Sequence, residues 1–251
     1  MSFVITVYVP EAIVMAADSR MFLGYTTAAG TAVQTPATDS NYKLFLLQKT
    51  DAEGSQTSRP VGITTYGDAI LGGRAIESHI KQFSYQSLVL GDDVLTVKDK
   101  LLAYIRGISP TTNVGFQVAG FRTENGIEVE HVWVLDIARN TSTRANVQPG
   151  TARTSFGANW GGEADVMSRL VNCTEVQQGS QRVSVTSSPV PFDVMTVQDA
   201  IDYALYAVRT TIDTMRFEAR LKTVGGFIDC LLITPDSAEW IQRKQFHGQL
   251  K

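Results

Sequence analysis

The second residue carries the most chemical potential in the chain. A small residue after an initiator Met permits removal of that Met, so Ser2 is expected to become a free N-terminus, with no longer propeptide to cleave. A hydroxyl and a free α-amine on one residue form a nucleophile with a built-in base. The α-amine, with a pKa of about 7.7–8.0, keeps a neutral fraction near neutral pH that can take the hydroxyl proton. An acid and a base follow in Asp18-Ser19-Arg20, and a lysine, Lys43, lies in the apolar run Tyr42–Gln48. Acyl transfer needs a nucleophile, a base, a donor for the oxyanion and orientation of each, and these side chains offer candidates for several of those roles.

Other reactive patterns are weak. The chain has no phosphate-binding Gly-rich loop ending in Lys-Ser/Thr and no His-Glu-x-x-His. Its three histidines, His79, His131 and His247, are scattered rather than clustered, so no metal site is expected. Glu77 and His79 lie two apart on a helix, which turns them to different faces, and both read as solvated.

The elements that must hold Ser2, Asp18 and Lys43 together can be read from periodicity. Phe3–Val9 and Ala12–Asp18 are apolar, β-branched runs around Pro10-Glu11, a β-hairpin pattern that returns Asp18 toward Ser2. Residues 21–41, rich in Thr, Ala and Gly, read as a long loop or an irregular hairpin. Tyr42–Gln48 and Val61–Tyr66 read as strands. A helix is expected from a cap at Asp68, through Ile70, Leu71, Ala75, Ile76, Ile80 and Phe83, despite the interior Gly72-Gly73 pair. A second helix follows Asp92-Asp93 and stops near Gly107 and Pro110.

Val114–Arg122 and Ile127–Asp136 read as a hairpin through Asn125-Gly126, with one face of the second strand partly wet. A short strand pair is expected at Thr141–Val147 and Arg153–Ala158, then a helix at Trp160–Val171 and a polar connection over 173–192. Thr196–Asp199 has the form of a capping box opening a long helix, and Gly226–Thr234 is the last strand. Helices and strands therefore come in blocks rather than in alternation, which disfavours a parallel doubly wound sheet. Strands apolar on both faces need cover on both sides. The fold class expected is α+β, a four-layer α-β-β-α sandwich of two antiparallel sheets between helix layers. It forms one domain over 1–251, with a core of about 2–234 and a tail over 235–251.

The hairpin that closes in Ala16-Ala17-Asp18-Ser19-Arg20 resembles the opening of proteasome β-type subunits, which are N-terminal nucleophile (Ntn) hydrolases, and of their bacterial Anbu-like homologues. The resemblance is sharpest over residues 2–47 and recurs in pieces to about 234. It places the nucleophile position on Ser2, the acid on Asp18 and the lysine on Lys43. It implies that Lys43 stays cationic and lowers the hydroxyl pKa, that Asp18 holds Lys43, and that Arg20 supports the turn. The oxyanion-donor position falls on Thr64. Three polar positions of the family fall on Ala158, Leu221 and Val224, leaving Asn159 and Thr223 as candidates to compensate. The resemblance also implies the same four-layer sandwich, a peptide or protein substrate, homo-oligomeric rings and an ATP-driven unfoldase as partner.

Composition bounds these readings. The 251 residues, 43% of them apolar, suffice for one large core, and a net charge of -3 does not suggest a nucleic-acid partner. Two unpaired cysteines, Cys173 and Cys230, suit a reducing cytoplasm. No membrane span and no cofactor are expected. Two functions stay open: a peptidase or amidohydrolase with Ser2 as nucleophile, or a catalytically silent proteasome-like subunit with an assembly or binding role.

Overall fold

The computed structural model describes residues 2–26, 30–54, 57–151, 153–172, 175–184 and 188–245. Met1, Cys173, Phe246 and His247 lie outside the described residues.

The chain begins with the hairpin its pattern predicts, β1 (Phe3–Val9) and β2 (Ala12–Asp18), paired antiparallel with Val4 opposite Ala17. Every residue of both strands is buried, because each of their two faces is covered. Phe3, Ile5, Val7, Val14 and Ala16 pack in one cluster with Met167, Ala200, Ala204 and Val208. Those partners belong to the helices Asp165–Val171 and Val197–Phe217. Val4, Tyr8, Ile13, Met15 and Ala17 face the other way and meet Leu44, Ala119, Phe121 and Val132. Full burial of one large apolar side chain contributes roughly 1.5–3 kcal/mol, so this hairpin is a firm base for the residues at its open end.

The remaining elements follow in order. They are β3 (Met21–Thr26), β4 (Ala32–Thr38), β5 (Leu44–Leu47), β6 (Val61–Gly67), β7 (Ile70–Leu71), β8 (Arg74–Ala75), α1 (Ile76–Ser87) and α2 (Val94–Ile108). Next come β9 (Val114–Glu124), β10 (Ile127–Asp136), β11 (Thr141–Arg144), β12 (Gly157–Gly162) and α3 (Asp165–Val171). The chain ends with β13 (Glu175–Gln178), β14 (Gln181–Ser184), α4 (Val197–Phe217), β15 (Ile228–Ile233) and β16 (Ala238–Gln242). Two five-stranded sheets dominate, in the orders β12-β1-β2-β15-β16 and β11-β10-β9-β6-β5. All pairings within them are antiparallel. A cluster of Val61, Ile63, Phe116 and Leu135 with Ile80, Phe83, Leu101 and Ile105 joins the second sheet to α1 and α2. Between the sheets, Gln117 of β9 accepts a hydrogen bond from Thr6 Oγ1 of β1 (2.5 Å).

Several expectations hold. The 114–136 hairpin turns at Asn125-Gly126, both at positive φ (52° and 81°). Asp93 caps α2, accepting from the amides of Leu95 and Thr96. Thr196 and Asp199 form the reciprocal capping box of α4. Of the two options for residues 21–41, the hairpin is found, as β3 and β4. Cys230 is buried and free, and its thiol is pushed up to about 12 by burial.

Others are corrected. The first helix starts at Ile76, not near Asp68: Gly72 and Gly73, at φ 52° and 77°, turn the small β7–β8 hairpin instead. Asp68 accepts hydrogen bonds from Thr112 Oγ1 and Asn113 N rather than capping a helix. His79 is buried, not solvated, because it lies on the inner face of α1 with Ile76, Ile80 and Phe83, and its Nε2 bonds the Leu71 carbonyl at 2.9 Å. Glu130 and His131 are both buried, so the middle of β10 is covered on both faces.

Of the strand pair expected at Thr141–Val147 and Arg153–Ala158, only the antiparallel bridge of Val147 with Thr154 forms, while β11 joins β10 and β12 joins β1. Trp160 belongs to β12 and α3 opens at Asp165. The connection over 173–192 carries an exposed hairpin, β13–β14. Within the stretch read as a tail, Ala238–Gln242 forms β16, which pairs with β15, and Ala238 and Trp240 pack on the cluster between the sheets. The sheet therefore extends past the boundary expected at 234. No described helix is long and apolar enough to cross a membrane.

Asp93 tests the capping account. Asp93→Ala is expected to lower unfolding free energy by about 1–2 kcal/mol, read from urea denaturation, and an unchanged midpoint would contradict the assigned cap.

Candidate active site

Asp18 is the last residue of β2, and its carboxylate is enclosed, with 0% of the side chain exposed. Its Oδ1 accepts from Phe3 N (2.9 Å) and from Lys43 Nζ (2.7 Å). Its Oδ2 accepts from Arg20 N (3.2 Å) and Gly225 N (3.0 Å). One carboxylate therefore ties the start of β1, its own turn, the approach to β15 and the lysine before β5. Charge-assisted bonds of this kind are about twice as strong as neutral ones, and a buried charge demands them.

Lys43 sits one residue ahead of β5, and 3% of its side chain is exposed. Its backbone carbonyl accepts from Thr65 N (2.9 Å), which docks it on β6. Burial pulls its pKa below the ordinary lysine range; the Asp18 charge and hydrogen bond oppose that, and the cations Lys244 and Arg20 add to it. The Asp18 carboxylate thus offsets part of the desolvation cost of the Lys43 ammonium.

Ser2 is 5% exposed. Its carbonyl accepts from Glu163 N (2.7 Å), just beyond the end of β12. Gly162 makes that approach possible: at φ +88°, a Cβ there would lie 1.8 Å from the Ser2 oxygen. Ser2 and Lys43 line the same small cavity, of about 30 Å³, with Thr65, Tyr66 and Gly67. The Thr65 hydroxyl is buried and has no hydrogen-bond partner, so it is available to a water or a substrate group in that cavity. A larger hollow of about 410 Å³ shares Phe22, Gly67, Asp68 and Ala69 with it and runs on to Leu23 and Gln34 of the β3–β4 hairpin.

Arg20 lies in the turn after β2. Its guanidinium bonds both oxygens of Asp39 (2.6 and 2.8 Å) and the Lys222 carbonyl (3.0 Å). The Ser19 hydroxyl lies within hydrogen-bond distance of the Asp39 and Phe227 carbonyls and donates to one at a time.

Thr64 is in a different place from the one its expected role requires. It is fully buried inside β6, opposite Leu44 on one side and Gln117 on the other, and does not line the cavity. Amide directions alternate along a strand. Thr65 N points to β5, so the Thr64 amide points to β9 and is spent in the ladder. The same alternation sends the Gly67 amide to the β5 side, beyond Lys43, where β5 pairing has ended and the cavity begins. Gly67, not Thr64, therefore carries a backbone donor on the side of the cavity that it lines with Ser2. The readable signal was the end of the strand run at Tyr66-Gly67-Asp68.

Asn159 is also remote. It stands opposite Thr6 and accepts from Gln117 Nε2 (2.9 Å), so it ties the sheets together. The β1–β12 register sets Phe3 against Gly162 and Val7 against Ala158, so Ala158 is not the residue beside Ser2. The neighbour is Glu163, which sequence reasoning missed. Its carboxylate accepts from Thr223 Oγ1 (3.0 Å) and pairs with Arg220 (3.4 Å). Thr223 thus reaches Ser2 through Glu163. Val224 is buried in the apolar cluster of α4, and Leu221 is 49% exposed. Among the described residues, no group of three His, Cys, Asp or Glu side chains is arranged to hold a metal ion.

No protein-family model and no curated protein matches this sequence. Among solved structures, the chain is similar to the Anbu (Gly-1) mutant from Hyphomicrobium sp. strain MC1. The TM-score is 0.59 at 14% identity, over 97% of this chain and 86% of that one. At that identity the likeness speaks for the fold alone, which this chain shares with that protein.

Asp18→Asn would leave the Lys43 ammonium buried without a counter-charge. The expected cost is about 3–5 kcal/mol of folding stability, read from denaturant unfolding, and a loss below about 1 kcal/mol would contradict the buried pair.

Proposed function

We propose that this chain is an N-terminal nucleophile hydrolase of peptide or amide bonds, with Ser2 as nucleophile once Met1 is removed. The observation that carries the reading is the convergence of Ser2 and the Asp18-bound Lys43 on one cavity. The two antiparallel sheets, with α3 and α4 packed on one and α1 and α2 on the other, support the four-layer α-β-β-α order of that fold.

In this mechanism the Ser2 Oγ attacks a substrate carbonyl while its proton passes to the Ser2 α-amine, directly or through a water. The carbonyl oxygen becomes an oxyanion, stabilised by the Gly67 amide; one such donor contributes roughly 3–4 kcal/mol in well-studied hydrolases. The C–N bond then breaks, the leaving amine takes the proton back, and an ester remains on Ser2. Water hydrolyses that ester by the same route. Lys43 favours the alkoxide through its charge. Asp18 acts twice: it holds Lys43, and through Phe3 N it fixes the strand that presents Ser2.

The partners follow from the same reading: a peptide or protein substrate entering along the β3–β4 hairpin, assembly of copies into a ring, an ATP-driven unfoldase and a cytoplasmic setting for a single domain. A second reading, a silent subunit with an assembly or binding role, is favoured by the apolar Val224 and Leu221 at positions that the resemblance makes polar.

Intact mass measures removal of Met1, and a fluorophosphonate probe then reads the hydroxyl. The expected result is loss of Met1 and stoichiometric labelling that Ser2→Ala abolishes. Met-free protein that stays unlabelled would overturn the hydrolase in favour of the silent subunit. Light scattering checks the assembly, for which a ring predicts a mass of several chains and a monomer contradicts it.

A further inference from the structure

A second buried ion pair lies behind Lys43, and the mechanism above does not use it. Asp229 of β15 stands opposite Ala17, the residue before Asp18. Its neighbours on that face, Leu231 and Ile233, pack between the sheets, as does Ala17. Asp229 Oδ1 accepts from Lys244 N (2.9 Å), and Lys244 Nζ pairs with Oδ2. Both side chains are enclosed, 5% exposed for Lys244 and 1% for Asp229. The Lys244 ammonium also lies 4.1 Å from the ring centre of Tyr42, the residue before Lys43. Arg243 covers the outside, with its guanidinium 4.0 Å from the Trp240 ring centre and 5.3 Å from that of Tyr42.

A buried ion pair is a poor device for stability, since desolvation of two charges offsets most of the attraction. This one links the segment after β16 to the residue adjoining the active-site lysine. We propose that Lys244 and Asp229 are positioning residues for Lys43: through Tyr42 they seat it, and through their own charges they tune its charge. The inference rests on the Ntn-hydrolase reading for its meaning, but not for its test.

The electrostatics have a definite sign. Lys43 is faced by Asp18 from β2, Arg20 from the turn after it, Asp39 from the segment after β4 and Lys244 from beyond β16, and Lys244 is itself paired with Asp229 of β15. Tyr42 adjoins it in sequence, and Tyr66 and Asp68 line its cavity. Like charge from Lys244 works against the Lys43 ammonium, and burial works in the same direction. Removing the Lys244 charge removes that repulsion and favours the ammonium. Removing the Asp229 charge leaves Lys244 unmatched and disfavours it. A pair that served packing alone would not produce opposite shifts.

The experiment is an NMR pH titration of the full chain labelled with [ε-13C]lysine, with the Lys43 signal assigned by its loss in Lys43→Arg. Lys244→Met is expected to raise the Lys43 midpoint, and Asp229→Asn to lower it, each by about half a pH unit or more. Lys244→Arg keeps the charge and is expected to leave the midpoint unmoved. Should Asp229→Asn fail to fold, the contrast between Lys244→Met and Lys244→Arg carries the test. Shifts of one sign in both neutral variants, or equal midpoints in Lys244→Met and Lys244→Arg, would overturn the proposal. The titration needs no turnover, so an unlabelled wild type in the fluorophosphonate assay would sink the hydrolase reading separately.

Discussion

The Asp18 carboxylate is the constraint on which the rest of the site depends. A buried carboxylate is tolerated only when its lone pairs are filled, and here they are filled by Phe3 N, Arg20 N, Gly225 N and Lys43 Nζ. These donors come from four separate stretches of chain. Satisfying one charge therefore fixes where β1 begins, how β2 turns, where the loop before β15 passes and where the lysine ammonium sits. Ser2 is the residue before Phe3, so its location follows from the same hydrogen bonds. A site of this kind is pre-organised by the cost of leaving a charge unpaired rather than by contacts made to a substrate.

The sheets make that arrangement rigid. β1 and β2 are covered on both faces, by α3 and α4 on one side and by the second sheet on the other. A one-residue slip would exchange the two faces, and both are committed to different neighbours. Gly162 adds a local restriction, because the Ser2 carbonyl occupies the space a side chain would need. The second sheet supplies Lys43 and the end of β6 from across the interface, so the cavity lies where the two sheets meet. The charge pair of Lys244 and Asp229 extends the same polar column behind Lys43, on the face that is otherwise apolar.

Parts of this were legible in the sequence, and the reasons are physical. The opening hairpin was readable because strands buried on both faces are continuously apolar. The return of Asp18 to the start of the chain was readable because a strand pair of that length has to bring its last residue back to its first, whereas Lys43 was singled out by the resemblance. Capping boxes are local, so Thr196 and Asp93 announced α4 and α2. What failed was whatever depends on partners distant in the chain. The apolar spacing at 70–76 imitates a helix, but Gly72-Gly73 at positive φ makes a turn. His79 looked solvated from its neighbours in sequence, but it lies on the buried face of α1 and bonds the Leu71 carbonyl of a hairpin that the pattern did not show. The amide of Thr64 was exchanged for that of Gly67 because only strand register reveals which way an N–H points. Glu163 beside Ser2 was missed for the same reason, since register is invisible in one strand alone. β16 was missed because its anchors, Ala238 and Trp240, are few and meet a cluster built from other strands.

The fold sets Ser2 and the Asp18-bound Lys43 on one cavity, and the proposed hydrolase requires Ser2 to be the reacting group. The most direct measurement is tandem mass spectrometry of Met-free protein after incubation with a β-lactone, locating the acyl group on the chain. The account predicts an ester on the Ser2 hydroxyl. An adduct on any other side chain, or recovery of the N-terminal peptide unmodified throughout, would contradict it.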